Sequence, residues 1–282
     1  MQHRAELAVH KYLTDAVSGS GSMGEDTIEQ IATDIKDALH RQFNSKQKRK
    51  YSLRMSSIGR PSCQQWFEKN HPDKALPKPT TFVMNMMIGD IVEAIFKGLL
   101  KEAKIDFTDS EKVELKVGKD TITGTYDLIL DGAVDDIKSA SSWSYKYKFD
   151  SYDALKQSDG FGYVGQLAGY AKATNSKVGG WWVINKANGE FKYVPATGIE
   201  IEDEISKMKD TIKSVETKEL VRCFEPEPEL FRGKATGNTV LNKNCTFCDF
   251  RHSCWETIQE LPAQMSKAKE PKIVPYISLG TS

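Results

Sequence analysis

The chain has 282 residues, and 39 Lys and Arg balance 39 Asp and Glu. That length can bury a substantial core, and zero net charge leaves local clusters to carry any case for a nucleic-acid partner. No 18-residue apolar run predicts a membrane span, no apolar signal core opens the chain, and five cysteines, three of them clustered, suit a metal site in a reducing compartment better than a disulfide framework.

Residues 1–16 suit a short helix, and the Ser-Gly run 18–23 has linker composition. Residues 1–24 therefore read as a flexible leader or expression remnant outside the fold. Ile28, Ile31, Ile35 and Leu39 share one face of a helix over 26–43. From 41 to 54 six Lys and Arg meet no acid, which describes a solvated loop or a phosphate-contacting arm. Pro61 opens a short helix carrying Cys63, Trp66 and Phe67. A proline-broken loop leads to a long helix over 81–103, with Met84, Ile88, Ile91, Ile95 and Leu99 as its core stripe. Strands are expected at 111–117, 121–130 and 133–139. A Ser-, Tyr- and Lys-rich loop and a helix near 161–174 follow, then strands at 179–186 and 190–195 around Asn188-Gly189. Ile201, Ile205, Met208, Ile212 and Val215 mark an amphipathic helix over 200–221. From 222 the chain reads as irregular, with 222–260 a cysteine-rich tail and 261–282 disordered. This order predicts an α/β fold, a mixed central sheet flanked by helices, with a helical region at 25–80 before a core at 81–221.

Asp131-Gly132 between β-branched and apolar runs signals a two-residue hairpin. If Leu130 faces Ala133, Asp127 lies opposite Asp136, and alternation puts Lys138 on the face of Asp136. Like charges opposite one another destabilise a sheet. A divalent cation would relieve them, and carboxylate oxygens suit Mg²⁺ or Mn²⁺. A solvated Asp/Lys hairpin is the plainer reading, although apolar positions on both faces argue against full exposure. On the long helix, Glu93 sits at the edge of the stripe, one turn after Gly89. Alone it is a solvated boundary residue; beside an acidic hairpin it is a candidate third metal ligand. Gln166 and Tyr170, four apart, share a face with Tyr163 among Gly162, Gly165 and Gly169. They form either a small-residue packing surface or a Gln orienting water beside a Tyr hydroxyl on a phosphate. Trp143, Tyr145, Lys146 and Lys148 make an aromatic, basic loop suited to stacking bases and meeting the phosphates of a single strand.

Cys245, Cys248 and Cys254 follow a C-x2-C-x5-C spacing, one thiolate short of four. Cys63, beside a helix start, is the best fourth ligand. Cys223, with apolar neighbours Val221 and Phe224, competes with it but reads as a packed thiol outside the site. His252 is a substitute ligand for Zn²⁺. Spacing leaves an iron–sulfur cluster and zinc equally open, and either would staple the two chain ends around the core.

In order, Gly89 to Glu93, Gly124-Thr125-Tyr126-Asp127, the strand Val134-Asp135-Asp136-Ile137-Lys138 and Gln166-Leu167-Ala168-Gly169-Tyr170 resemble the motifs of the RecB-like branch of the PD-(D/E)xK nuclease superfamily. The upstream cysteine and the C-x2-C-x5-C tail resemble its iron–sulfur subgroup, which includes AddB-type helicase-nucleases and CRISPR adaptation nucleases. The resemblance runs from about Cys63 to Cys254. It implies a restriction-endonuclease-like core with a C-terminal cluster staple, and a Mg²⁺- or Mn²⁺-dependent DNA exonuclease. Its catalytic residues would be Asp127, Asp136, Lys138, Gln166 and Tyr170. Glu93, Asp127, Asp136 and the Ile137 carbonyl would hold the metal, and Cys63, Cys245, Cys248 and Cys254 a [4Fe–4S] cluster. DNA, single-stranded or at ends, is the implied partner, with recombination or replication proteins beside it, in a bacterial or phage-infected cytoplasm. The superfamily's proline is absent, and Glu93 stands where many relatives have His. No G-x-x-x-x-G-K-[ST] motif occurs, so the expectation is a stand-alone nuclease of phage or mobile-element recombination rather than a motor. A non-catalytic DNA-binding module and a zinc-stabilised interaction protein are the alternatives.

Overall fold

The computed structural model describes residues 2–44 and 51–280; residues 45–50 of the basic stretch lie outside the described residues. The chain opens with helices α1 (Arg4–Val17), α2 (Glu25–Leu39), α3 (Met55–Ile58), α4 (Ser62–Asn70) and α5 (Thr81–Glu102). Strands β1 (Thr108–Asp109), β2 (Lys112–Val117), β3 (Asp120–Thr125), β4 (Leu128–Leu130) and β5 (Ala133–Ala140) follow. Helices α6 (Tyr152–Gln157) and α7 (Tyr163–Thr174) lead to β6 (Lys177–Asn185), β7 (Phe191–Pro195) and α8 (Ile201–Val215). Then come β8 (Glu227–Phe231), β9 (Lys234–Val240), α9 (Arg251–Cys254), β10 (Gln259–Pro262) and β11 (Ile273–Ser278). Two units result: residues 1–59 with 79–209, and residues 60–78 with 210–282. The sequence blocks 25–80 and 81–221 do not follow this division, because the segment carrying Cys63 belongs with the tail. Among the described residues no helix is long and apolar enough to cross a membrane.

The first unit is α/β. Its mixed sheet has the order β1-β4-β5-β6-β7, with β5 and β6 parallel and the other neighbours antiparallel. The turn joining β4 to β5 is as read: Leu130 pairs with Ala133, and Asp131 and Gly132 have φ of 53° and 75°. Positive φ at both central residues is what a tight hairpin with right-handed strand twist requires. The expected strand 121–130 is instead two strands. β3 pairs with β2 as a separate hairpin, β4 pairs with β1 and β5, and Tyr126 and Asp127 occupy the break.

The N-terminal segment is not a leader outside the fold. On α1, Ala5 and Val9 stand one turn apart and are fully buried, in a cluster with Phe96, Leu100, Leu128, Leu130, Ile137 and Trp182. Arg4 donates to the Asp131 carboxylate at the hairpin tip, Nε to Oδ2 at 2.8 Å. Two small buried side chains carry little hydropathy signal, so the polar remainder of α1 conceals its role. On α2 the buried positions are Thr27 and Ala38, while Ile28 and Leu39 are exposed. On α5 they include Met87, Ala94, Phe96 and Leu100, while Met84 and Ile95 are exposed. Both helices are rotated from the expected stripes because they meet at small residues. A Cβ on Gly98 would lie 2.5 Å from the Ile31 side chain. Helix α8 buries Ile205, Met208, Ile212 and Val215 as its periodicity predicts, but it ends at Val215 rather than 221, and Ile201 is half-buried.

The second unit contradicts the reading of the chain after 222 as irregular. Strands β8 to β11 form an antiparallel sheet in the order β10-β11-β9-β8. Residues 261–280, expected to be disordered, supply the end of β10 and all of β11, where Tyr276 is buried and donates to Glu229 at 2.8 Å. Prolines at 228, 262 and 275 interrupt the apolar alternation that announces a strand. Helix α4 starts after Pro61 as expected, and Trp66 and Phe67 pack with Phe250, the Phe67 and Phe250 rings stacked at 5.2 Å.

If α1 is structural, Val9→Ala should destabilise the protein by about 2 kcal/mol, two lost methyl groups plus an unfilled cavity. Urea unfolding checks this as a lower midpoint at unchanged slope. A flexible leader would show no change.

Candidate active site

The break at Tyr126-Asp127 builds the site. The hairpin register would place Asp127 opposite Asp136, but β4 begins one residue later, and the Ile137 N–H donates to Asp127 Oδ2 at 2.7 Å. Asp136 is 1% exposed. Lys138 lies on the same face, as alternation predicts, and its Nζ donates to Asp136 Oδ1 at 2.6 Å. It is equally near Oδ2, yet that buried oxygen receives no hydrogen bond of good geometry. On α5, Gly89 faces the Ser139 side chain, and Glu93 accepts from Lys97 Nζ at 2.7 Å. Lys97 also reaches Asp109 at 2.9 Å. From α7, Tyr170 is buried beside Gly124, where a Cβ would lie 2.7 Å from the tyrosine ring. Gln166 hydrogen-bonds the Tyr170 hydroxyl.

Electrostatics tie these groups to one centre. Burial pushes Asp127 up to about 6, the Asp136 charge adds to this, and Lys138 and the Ile137 N–H oppose it. Asp136 is raised by burial against the pull of Lys138, with Glu93 and Asp135 adding. Glu93 is raised by burial and then by Asp127, against Lys97 and Lys138. Each carboxylate therefore disfavours the charge of another. Asp136 and Asp127 outweigh burial at Lys138 and hold it above its ordinary value. Burial lifts Tyr170 to about 12, with Asp136 and Asp127 adding and Gln166 opposing.

Asp135 is a buried carboxylate that sequence reasoning passed over. It is 1% exposed and accepts from Gly180 N at 2.8 Å, the Tyr193 hydroxyl at 2.9 Å and Trp182 Nε1 at 3.0 Å. Burial still lifts it to about 7 against these donors. β6 carries an extra residue here, between the pairs Val134 with Val178 and Asp136 with Trp181. A Cβ on Gly179 would fall 1.9 Å from Asp135 Oδ1, so only glycine leaves room for the carboxylate. Two adjacent glycines inside a strand were the available signal.

The aromatic, basic loop is divided. Trp143 and Tyr147 are 64% and 53% exposed, with ring centroids 5.7 Å apart, and Lys146 is exposed beside Tyr147. Tyr145 and Lys148, expected in the same exposed surface, turn inward. Lys192 Nζ lies 4.5 Å from the Tyr145 ring, and Lys148 is buried. A π-helical turn over Ser144–Lys148 replaces the loop and puts Lys148 beneath the surface while Lys146 and Tyr147 stay exposed.

All five cysteines lie in the second unit. Cys223 is not packed apart from the others: it is exposed, and its Sγ accepts from Cys63 N at 3.1 Å, 3.4 Å from Ser62 Oγ. The Cys63 side chain and these contacts lower Cys223 to about 6, while Cys63 is raised. Burial lifts Cys245 to about 12, with Cys248, Cys254 and Cys223 adding. The thiols therefore form one interacting group. His252 faces Glu260, Nε2 to Oε1 at 3.3 Å, rather than the thiols. Among the described residues no group of three or more His, Cys, Asp or Glu is arranged to hold a metal ion as it stands. At the carboxylates, Lys97 and Lys138 take up Glu93 and Asp136 instead.

No family model and no curated protein matches the chain. It is similar to the crystal structure of SSO0001, with 16% identity and a TM-score of 0.40, over 70% of this chain and 90% of that one.

The raised carboxyl of Asp127 sets a pH dependence. Its folded pKa, about 6, lies above the ordinary 3.8, so its stabilising contribution is complete below about pH 3.8 and is lost as pH rises through 6. Asp136→Asn removes the neighbouring charge. It should lower the Asp127 midpoint in carboxyl ¹³C NMR titrations without divalent cation, and flatten stability between about pH 4 and 6. An unchanged midpoint would mean that burial alone sets it.

Proposed function

We propose that this chain is a metal-dependent deoxyribonuclease of the RecB-like kind, an exonuclease that hydrolyses phosphodiester bonds of single-stranded DNA or DNA ends in phage or mobile-element recombination, repair or degradation. One observation carries the reading: the buried Asp136 and the half-buried Glu93 and Asp127 raise one another's pKa around Lys138, and Asp136 Oδ2 lacks a hydrogen bond of good geometry. Hard oxygen donors carrying more negative charge than Lys97 and Lys138 offset suit a small divalent cation. Glu93, Asp127 and Asp136, with the Ile137 carbonyl, would hold it. Mg²⁺ or Mn²⁺ bound there would lower the pKa of a water and polarise the phosphate.

The remaining roles belong to the chain's own groups. Lys138 is held protonated by its carboxylate neighbours, so it donates to developing negative charge and does not act as a base. Tyr170 stays a neutral hydroxyl near neutral pH and serves as a donor that Gln166 orients. Trp143 and Tyr147 offer exposed rings for base stacking, and Lys146 an exposed cation for the backbone.

Thiolates are soft donors, and we assign Cys63, Cys245, Cys248 and Cys254, which would have to draw together around it, to a structural [4Fe–4S] cluster, with zinc as the alternative. Iron and sulfide per chain in anaerobically purified protein should fall in Ser variants of each of these four and persist in Cys223→Ser. The reverse result for Cys63 and Cys223 moves the ligand to Cys223, which already takes the Cys63 N–H. One tight zinc without iron replaces the cluster.

End-labelled single-stranded DNA, incubated with Mg²⁺, Mn²⁺ or EDTA, tests the activity. Asp136→Ala and Lys138→Ala should each lose cleavage by about 10³-fold while still binding DNA. Near wild-type turnover in Asp136→Ala would overturn the assignment. Wild-type protein that binds DNA but cuts it with neither metal would leave a binding module.

A further inference from the structure

Among the described residues Lys97 and Lys148 are the buried lysines of the first unit, and their surroundings differ. Lys97 has Glu93 at 2.7 Å and Asp109 at 2.9 Å. Lys148 is 8% exposed, and no carboxylate among the described residues comes within ion-pair distance of it. Its Nζ instead faces aromatic rings, Tyr163 at 4.5 Å and Phe161 at 4.8 Å from their centroids. The Asp159 charge acts on it, but that carboxylate accepts from Tyr163 N at 2.8 Å and Val164 N at 2.9 Å at the start of α7.

The other charge acting on Lys148 is Lys138, whose Nζ lies 5.1 Å from the same Tyr163 ring. Two ammonium groups thus share one ring beside the acidic centre. A buried cation without a counter-ion is destabilising, and ring faces offset only part of that. A ring face is also a poorer partner for an ammonium N–H than an anionic oxygen. Burial holds Lys148 below its ordinary pKa, and Lys138 adds to the effect. An arriving anion with oxygen acceptors would relieve all of this at once.

Building on the nuclease reading, we infer that Lys148 binds a phosphodiester oxygen of the DNA strand adjacent to the phosphate that Lys138 attends, so that the two ammoniums seat consecutive phosphates. Trp143 and Tyr147, exposed on the same segment, continue the track for the bases. Lys148 is then a substrate-positioning residue held underneath the loop, distinct in role from the exposed Lys146.

Lysine labelled with ¹³C at Cε provides a direct test, the Lys148 signal being assigned with Lys148→Arg. In EDTA, the wild-type protein is titrated with unphosphorylated dT12 and separately with inorganic phosphate. The dT12 should move the Lys148 signal at lower concentration than phosphate does. Lys148→Met should weaken dT12 binding about tenfold and reduce the salt slope by about one. Lys148→Arg should restore most of the affinity. Lys148→Met should also unfold at a higher midpoint than wild type, because an unpaired buried charge is gone. A purely structural lysine would give a lower midpoint with unchanged affinity. A stationary signal, or wild-type affinity and salt slope in Lys148→Met, overturns the inference even if the protein cuts DNA. A signal moved by phosphate alone overturns it in favour of a free-phosphate site. A signal moved by dT12 without cleavage in Mg²⁺ or Mn²⁺ upholds it and removes the nuclease reading instead.

Discussion

The bond from Ile137 N to Asp127 Oδ2, 2.7 Å long, replaces what would have been one more rung of the β4–β5 ladder. A side chain takes the place of a backbone carbonyl, and the strand before it is released. β3 turns away to pair with β2, and Tyr170 packs against Gly124 in the space this leaves. Asp127 is brought beside the buried Asp136 by the same bond, where desolvation and the Asp136 charge both disfavour its ionised form. Backbone satisfaction and charge repulsion are thus set against each other at one residue, and the chemistry of the site follows from that opposition.

Asp135 and Asp136 show how adjacent residues of one type divide between structure and chemistry. Both are 1% exposed. Alternation sends Asp135 toward Trp182 and Tyr193, under α1 and α5, where three donors reach both of its oxygens. It sends Asp136 toward Lys138, where one oxygen is left without a good hydrogen bond. A buried carboxylate with a donor on each oxygen locks β5 and β6 in register, and the Gly179-Gly180 bulge makes room for it. A buried carboxylate with a spare oxygen is open to a ligand. The groups of the site are held by elements from three directions: Glu93 by α5, Asp127 and Asp136 by the hairpin, and Tyr170 by α7. Packing, not local preference, keeps them close.

In the second unit the same logic operates through sulfur. Helix α4 begins at Ser62, and its first backbone donors need acceptors. Cys223 supplies one to Cys63 N. A thiol that accepts a helix N-terminal N–H ionises more readily, which is the direction seen at Cys223. Trp66 and Phe67, against Phe250, tie this helix to the segment that carries Cys248 and Cys254.

The features legible from residues alone were those whose physics is local. Asp131-Gly132 dictates its turn because few residue pairs tolerate positive φ twice. Pro61 starts α4, four-residue spacing brings Gln166 to Tyr170, and apolar periodicity defines α8. From the hairpin, alternation correctly put Asp136 and Lys138 on one face. Tertiary structure decided what depends on distant partners. Ala5 and Val9 are too small to announce a buried α1, so its docking rests on shape. Gly98 lets Ile31 in and rotates α2 and α5 away from their most apolar stripes. Lys148 goes inward because rings from Phe161 and Tyr163 receive it. Cys223 meets Cys63 across 160 residues of chain, and β11 finds β9 across more than thirty. Sequence spacing encodes contacts within a turn or a rung, whereas contacts between remote segments are selected only when the whole core closes around them.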